Sequence, residues 1–158
     1  MDLSQEYFEL IRIYEDYNRQ ALELKTWSVT IGIAAILAAI SAPVSVKHKR
    51  IASLVAGLFA IPFWLTETIW KLFQAAYVER LIEIERCISL PDLSCETPKI
   101  INSWQESFND ETIVNWMEIA FKPHILLPHI VLLAAGITLF FYFEKEMKTG
   151  LVENVAET

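Results

Sequence analysis

The chain has 158 residues, 54% of them hydrophobic and 21% charged, and a formal net charge of −7. It is too short for two ordinary globular domains and too apolar to stay unfolded, so one compact helical unit is expected. Nucleic acid is excluded as an expected partner, because a phosphate backbone needs a basic surface and the one dense basic cluster is short: Lys47, His48, Lys49 and Arg50.

From Asp2 to Lys25 the apolar positions Tyr7, Leu10, Tyr14, Tyr17, Ala21 and Leu24 recur with a seven-residue rhythm that Ser28 continues. This is the pattern of an amphipathic helix. Asp2 and Gln5 have the spacing of a capping box, and Ser4 is the alternative cap. Nothing breaks the run before Gly32, so one helix is expected to start in water and enter apolar surroundings near Trp27. The acids Asp2, Glu6, Glu9, Glu15, Asp16 and Glu23 are unlike a secretory signal, and the first apolar stretch is expected to remain in the mature protein.

Three apolar stretches follow, at 26–46, 51–70 and 124–143, each long enough to cross roughly 30 Å of hydrocarbon as a helix. The expected fold is therefore an all-α integral membrane protein: an amphipathic helix over 1–25, transmembrane spans at those three places, a helical extension and small cap over 71–122, and a polar tail over 144–158. The tight link from Ser45 to Arg50 makes the first two spans an antiparallel hairpin. Trp70, Gln74, Tyr77, Leu81, Ile84 and Ile88 mark an amphipathic continuation of the second span.

Cys87 and Cys95, with Pro91 between them, can close a small disulfide loop or remain two thiols. A bridge would put this segment in an oxidising compartment. Thr97 and Pro98 then suit the start of a helix carrying Ile101, Trp104 and Phe108 on one side. Asn109 suits the cap of another, whose apolar face is Ile113, Met117, Ala120 and Phe121. Lys145 and Lys148 follow the third span and share a side with the basic link, which places that side in the cytoplasm and the N-terminus and cap outside. Against this, Arg12, Arg19, Lys25, Lys71, Arg80, Arg86 and Lys122 lie on the cap side.

The candidate polar residues of a membrane pathway are Glu67, Lys71 and His129. Glu67 and Lys71 are one helical turn apart and can pair, either as part of an ion path or as an interfacial pair between Trp64 and Trp70. His124 and His129 are five apart, about 140° around a helix, so they do not make a shared metal site. Pro128 leaves a backbone carbonyl without its helical donor, and His129 is the deeper candidate for a contact between helices. Gly32, Ala35, Ala39, Ser53 and Gly57 are the candidate helix-packing residues, joined by Ala42, Ala56, Ala60, Ala134, Ala135 and Gly136. Such small faces let helices approach closely, within one chain or between copies. The tyrosine seam with Trp104, Phe108, Trp116 and Phe121 reads as core before it reads as a quinone, lipid or haem site. No cofactor or metal is expected, and no catalytic residue can be named, since no motif for metal, phosphate or nucleophile chemistry occurs.

Lys25-Thr26-Trp27, Phe63-Trp64-Leu65-Thr66-Glu67 and Lys71-Leu72-Phe73-Gln74 resemble a set of small, mostly uncharacterised bacterial multi-pass membrane proteins built on a helix-extended transmembrane hairpin. More distantly, the region from Tyr7 to Glu85 is similar to the SLATT-type two-span proteins of bacterial immune operons. The resemblance implies a pore-forming or membrane-perturbing effector and assigns no residue a role. The third span and the cysteine-bearing turn depart from a two-span pattern.

The expected function is that of a non-enzymatic multi-pass protein of the cell membrane, in a bacterium the inner membrane, whose homo-oligomer forms or gates a pathway. The alternative is an accessory or assembly subunit of a larger membrane complex. The lipid bilayer is a partner in either case.

Overall fold

The computed structural model describes residues 2–90, 99–110 and 113–156, and the side chains among them other than those of 109–115 and 150–156. Seven helices follow in chain order: α1 (Leu3–Ser41), α2 (Val46–Leu58), α3 (Ala60–Ala75), α4 (Val78–Ser89), α5 (Ile100–Asp110), α6 (Ile113–Ala120) and α7 (Pro123–Ala156). No strand occurs among the described residues.

The helix boundaries have local causes. Asp2 and Gln5 exchange amide and side-chain hydrogen bonds at 3.2 and 2.7 Å, a capping box that starts α1. Pro43 disfavours helical backbone at Ala42, and α1 stops at Ser41. The second apolar run is not one continuous helix. Pro62 has no N–H to give the Leu58 carbonyl, and α2 ends at Leu58. A second break falls at Ala76 and Tyr77, where the Tyr77 amide bonds the Gln74 carbonyl, three residues back, at 3.2 Å.

That tighter turn shifts the phase of α4. Its buried stripe is Arg80, Ile84 and Cys87, whereas Ile88, expected on the seam, is 54% exposed. Asn109, expected as a cap, lies within the bounds of α5. Ile101 is exposed, and α6 buries Ile119 and Ala120 while Met117 and Phe121 face outward. Thr97, Pro98 and Cys95 lie outside the described residues. The stretch expected as a polar tail is helical to Ala156. Lys148 pairs with Glu144 one turn earlier at 2.9 Å and supports this extension.

The chain divides into two compact units, Met1–Glu23 with Thr66–Lys122 and Leu24–Leu65 with Pro123–Thr158. In the first, Leu10, Ala21, Ala76, Ile84 and Ala120 are buried. An aromatic cluster joins them: Tyr17 packs on Trp70 at 5.3 Å, Phe73 on Phe108 at 5.4 Å, and Trp104 stacks on Phe108 at 4.9 Å. Each of these rings is half-buried.

In the second unit α2 and α7 touch backbone to backbone. A Cβ on Gly136 would lie 2.6 Å from the Cα of Gly57 and 2.7 Å from the Ser53 carbonyl oxygen. Only glycine permits that approach, which is how membrane helices gain packing when lipid is as apolar as their side chains. A Cβ on Gly32 of α1 would lie 2.7 Å from a methyl of Leu132. At the other end of the α2–α7 contact, Arg50 pairs with Glu144 at 3.3 Å and lies 4.1 Å from the centre of the Phe140 ring.

Three stretches of helix are long and apolar enough to cross a membrane: Leu3–Ser41, Val46–Ser89 with its two breaks, and Pro123–Thr149. Only 17, 33 and 22% of their most apolar windows are buried. Leu37, Val55, Leu127, Val131 and Phe141 all point outward. Large aliphatic and aromatic side chains facing out along such helices are placed to meet lipid, whereas a water-soluble bundle turns them in.

Candidate functional site

Polar side chains buried in apolar helices are the candidate site, because each costs free energy unless it is satisfied. In the second unit the imidazole Nδ1 of His129 is 3.0 Å from the Ser28 hydroxyl, and both residues are buried. Ser28 sits at the end of the seam on α1, and His129 directly follows Pro128 on α7. The contact is thus a buried polar link between α1 and α7.

One turn away, the Lys25 ammonium donates to the His124 carbonyl at 2.7 Å. That carbonyl is the one Pro128 cannot serve, lying four residues before it. Lys25 and Ser28 are three apart on α1, so one face of this helix supplies both groups that bind α7 around its proline.

In the first unit Glu67 and Thr68 are fully buried and Gln74 nearly so. Lys71 donates to Asn18 Oδ1 at 2.9 Å and to Gln74 Oε1 at 2.8 Å. Gln74 in turn donates to the Tyr14 carbonyl at 3.0 Å. About two turns of α3 therefore carry a run of polar groups toward the tyrosine seam of α1.

The sequence reading missed a fully buried ion pair. Arg80 and Glu6 are 1% and 0% exposed, and the guanidinium grips the carboxylate by two bonds, Nε to Oε1 at 2.9 Å and Nη2 to Oε2 at 3.1 Å. Nη1 donates to Glu83 at 2.7 Å, and the Lys99 amide donates to Glu6 Oε1 at 3.2 Å. Burial alone would favour the neutral guanidine, but the bonds to Glu6 and Glu83 and their charges outweigh it and raise the Arg80 pKa. In the sequence Arg80 stands only as one of the basic residues on the cap side. Its spacing carries the missed signal: it is four before Ile84 and seven before Cys87, and Glu6 is four before Leu10. Nearby, Ser107 donates to Glu79 at 2.7 Å and the Trp104 indole to the Phe73 carbonyl at 3.3 Å. Tyr7 donates to Glu85 at 2.8 Å, and this bond, with burial and the Glu85 charge, raises its pKa.

The packing residues have separate places. Ser53 and Gly57 meet Gly136 within the same chain, Gly32 meets Leu132, and Ala35 and Ala39 line an open groove between α1 and α2. Cys87 is disulfide-bonded. Among the described residues no three His, Cys, Asp or Glu side chains converge as a metal site would need. No protein-family model, no curated protein and no solved structure matches this chain.

Proposed function

We propose that this chain is a small, non-enzymatic multi-pass membrane protein that self-associates to form or gate a membrane pathway. The observation that carries the reading is the buried Ser28–His129 pair, an ionisable group held inside helices apolar enough to span a bilayer. Glu67, fully buried on another such helix, supports it. Three spans packed as tightly as α2 and α7 are at Gly57 are too few to surround a passage, so the pathway forms among several copies. Because Ser53 and Gly57 are used within the chain, contact between copies falls to outward faces such as Ile130, Val131 and Phe141 of α7. Such a pathway is also what the resemblance to bacterial membrane effectors implies.

The site of action under this reading is the cell membrane, the inner one in a bacterium, with the N-terminus and cap outside. The basic link of Lys47 to Arg50 and the lysines Lys145 and Lys148 support that orientation, as does the disulfide at Cys87.

Purified protein in liposomes should show an oligomeric mass and ion or solute flux that depends on pH or voltage. A monomer without flux under every condition sinks the proposal. An accessory role in a larger membrane complex is the second reading, favoured by Phe8, Ile88 and Ile101, large apolar residues of the first unit that are 70, 54 and 75% exposed. Native mass spectrometry of protein extracted gently from its host membrane separates the two, since foreign subunits would travel with an accessory chain.

A further inference from the structure

The α1–α2 hairpin carries an open apolar groove of about 760 Å³, within the size range of about 300–1,000 Å³ usual for ligand sites. Ala35, Ala39 and Ala56 line it with small side chains, Ile31 and Phe59 stand at one end, and His48 stands at the other. Along α1 it runs from Ile31 to Ala42, about 16 Å at 1.5 Å per residue. That is close to one leaflet of a hydrocarbon core roughly 30 Å thick.

Its His48 end is cationic. No Asp or Glu occurs between Glu23 and Glu67, and the first turn of α2 holds Lys47, His48 and Lys49 with no acid. Lys49 donates to the Ile40 carbonyl at 2.9 Å, which ties the link back onto α1 at the mouth of the groove. His48 Nδ1 is 2.6 Å from the Ser45 hydroxyl, and Lys47 and His48 are both exposed. Of the acids that α7 carries near this end, Glu144 is already paired with Arg50 and Lys148, and Glu146 is exposed beside Lys145 in the sequence.

An apolar channel of one leaflet's length that ends at exposed cations has the two-part chemistry of an acyl chain and an anionic headgroup. A second copy docked in parallel by the same face would instead bring two sets of Lys47 and Lys49 together. We propose that the α1–α2 groove binds one chain of an anionic phospholipid, with its phosphate against Lys47 and His48. The inference rests on the membrane-spanning reading and not on the pathway.

The test uses the full chain in neutral detergent with equal dioleoyl phosphatidylglycerol and dioleoyl phosphatidylcholine, and native mass spectrometry counts the lipids retained. One phosphatidylglycerol per chain is expected, preferred on the order of tenfold, because each cation near an anionic lipid adds to the attraction. K47E/H48E should abolish the preference. A38W and A52W, at exposed rim positions of the groove, should lower retention of phosphatidylglycerol without disturbing the core. Equal retention of both lipids overturns the proposal. So does a preference that survives A38W and A52W, which would mean attraction to a basic surface alone. A lipid-free dimer that these two substitutions dissociate would assign the groove to a second copy and also overturn it. A monomer that shows no flux yet retains phosphatidylglycerol would refute the pathway and leave this site standing.

Discussion

The Lys25 ammonium reaches the His124 carbonyl at 2.7 Å and fills the vacancy that Pro128 creates in α7. An open carbonyl in an apolar helix is costly, and a cation from a neighbouring helix satisfies it while fixing how the two helices pack. Lys25→Met should therefore destabilise the protein by about 1–3 kcal/mol. Pro128→Ala restores the missing N–H, so it should cost less in the Lys25→Met background than alone. Reversible unfolding in mixed micelles gives this double-mutant cycle, and strict additivity would show that the two sites are not coupled.

The Glu6–Arg80 grip is predicted to be asymmetric in its response to mutation. Arg80→Met leaves a buried carboxylate without its partner and should cost about 3–5 kcal/mol. Glu6→Leu combined with Arg80→Met removes both charges and should recover much of that loss, as read from the same unfolding curves.

Gly136→Ala tests the contact of α2 and α7. Its new methyl would meet Gly57 and the Ser53 carbonyl, neither of which is a side chain that can turn away. Overpacking of about 1–3 kcal/mol is expected as a lower unfolding midpoint. Ala134→Leu, on the exposed side of the same helix, should leave the midpoint nearly unchanged.

Tyr7 links the start of α1 to Glu85 of α4, and the bond raises its pKa. A group with a raised folded pKa stabilises fully below its unfolded pKa of 10.0, and that contribution is lost as pH rises through the folded value. Tyr7→Phe should consequently flatten part of the alkaline decline in stability. Thermal midpoints measured across pH with and without the substitution check the sign.

Cys87 predicts the behaviour of the chain toward alkylating reagents. Protein isolated without reductant should take up no label at this position and should take it up after reduction. Labelling of Cys87 in intact cells without reductant would remove one support for an outside cap.

Much of the architecture is readable from single residues and their spacing. The capping box of Asp2 and Gln5, the uninterrupted run to Ser41 and the apolar stretches determine helices, and lengths near 20 residues determine that three of them can cross a bilayer. Pro128 likewise announces an open carbonyl, because a proline's missing N–H is a covalent fact. The sequence by itself could not name Lys25 as the donor, since Lys25 and His124 are 99 apart in the chain and only the packing of α1 on α7 joins them. Nor could it choose whether Ser53 and Gly57 serve one chain or two; the backbone of Gly136 decides that, because small residues permit close approach without specifying what approaches. The spacing of Glu6 to Leu10 and of Arg80 to Ile84 sets each charge on the apolar face of its helix, but only the packing of α1 on α4 makes the two a pair. Periodicity determines which face of a helix is apolar. Only the tertiary structure decides which charges share that face, because a buried charge depends on a partner that local sequence does not contain.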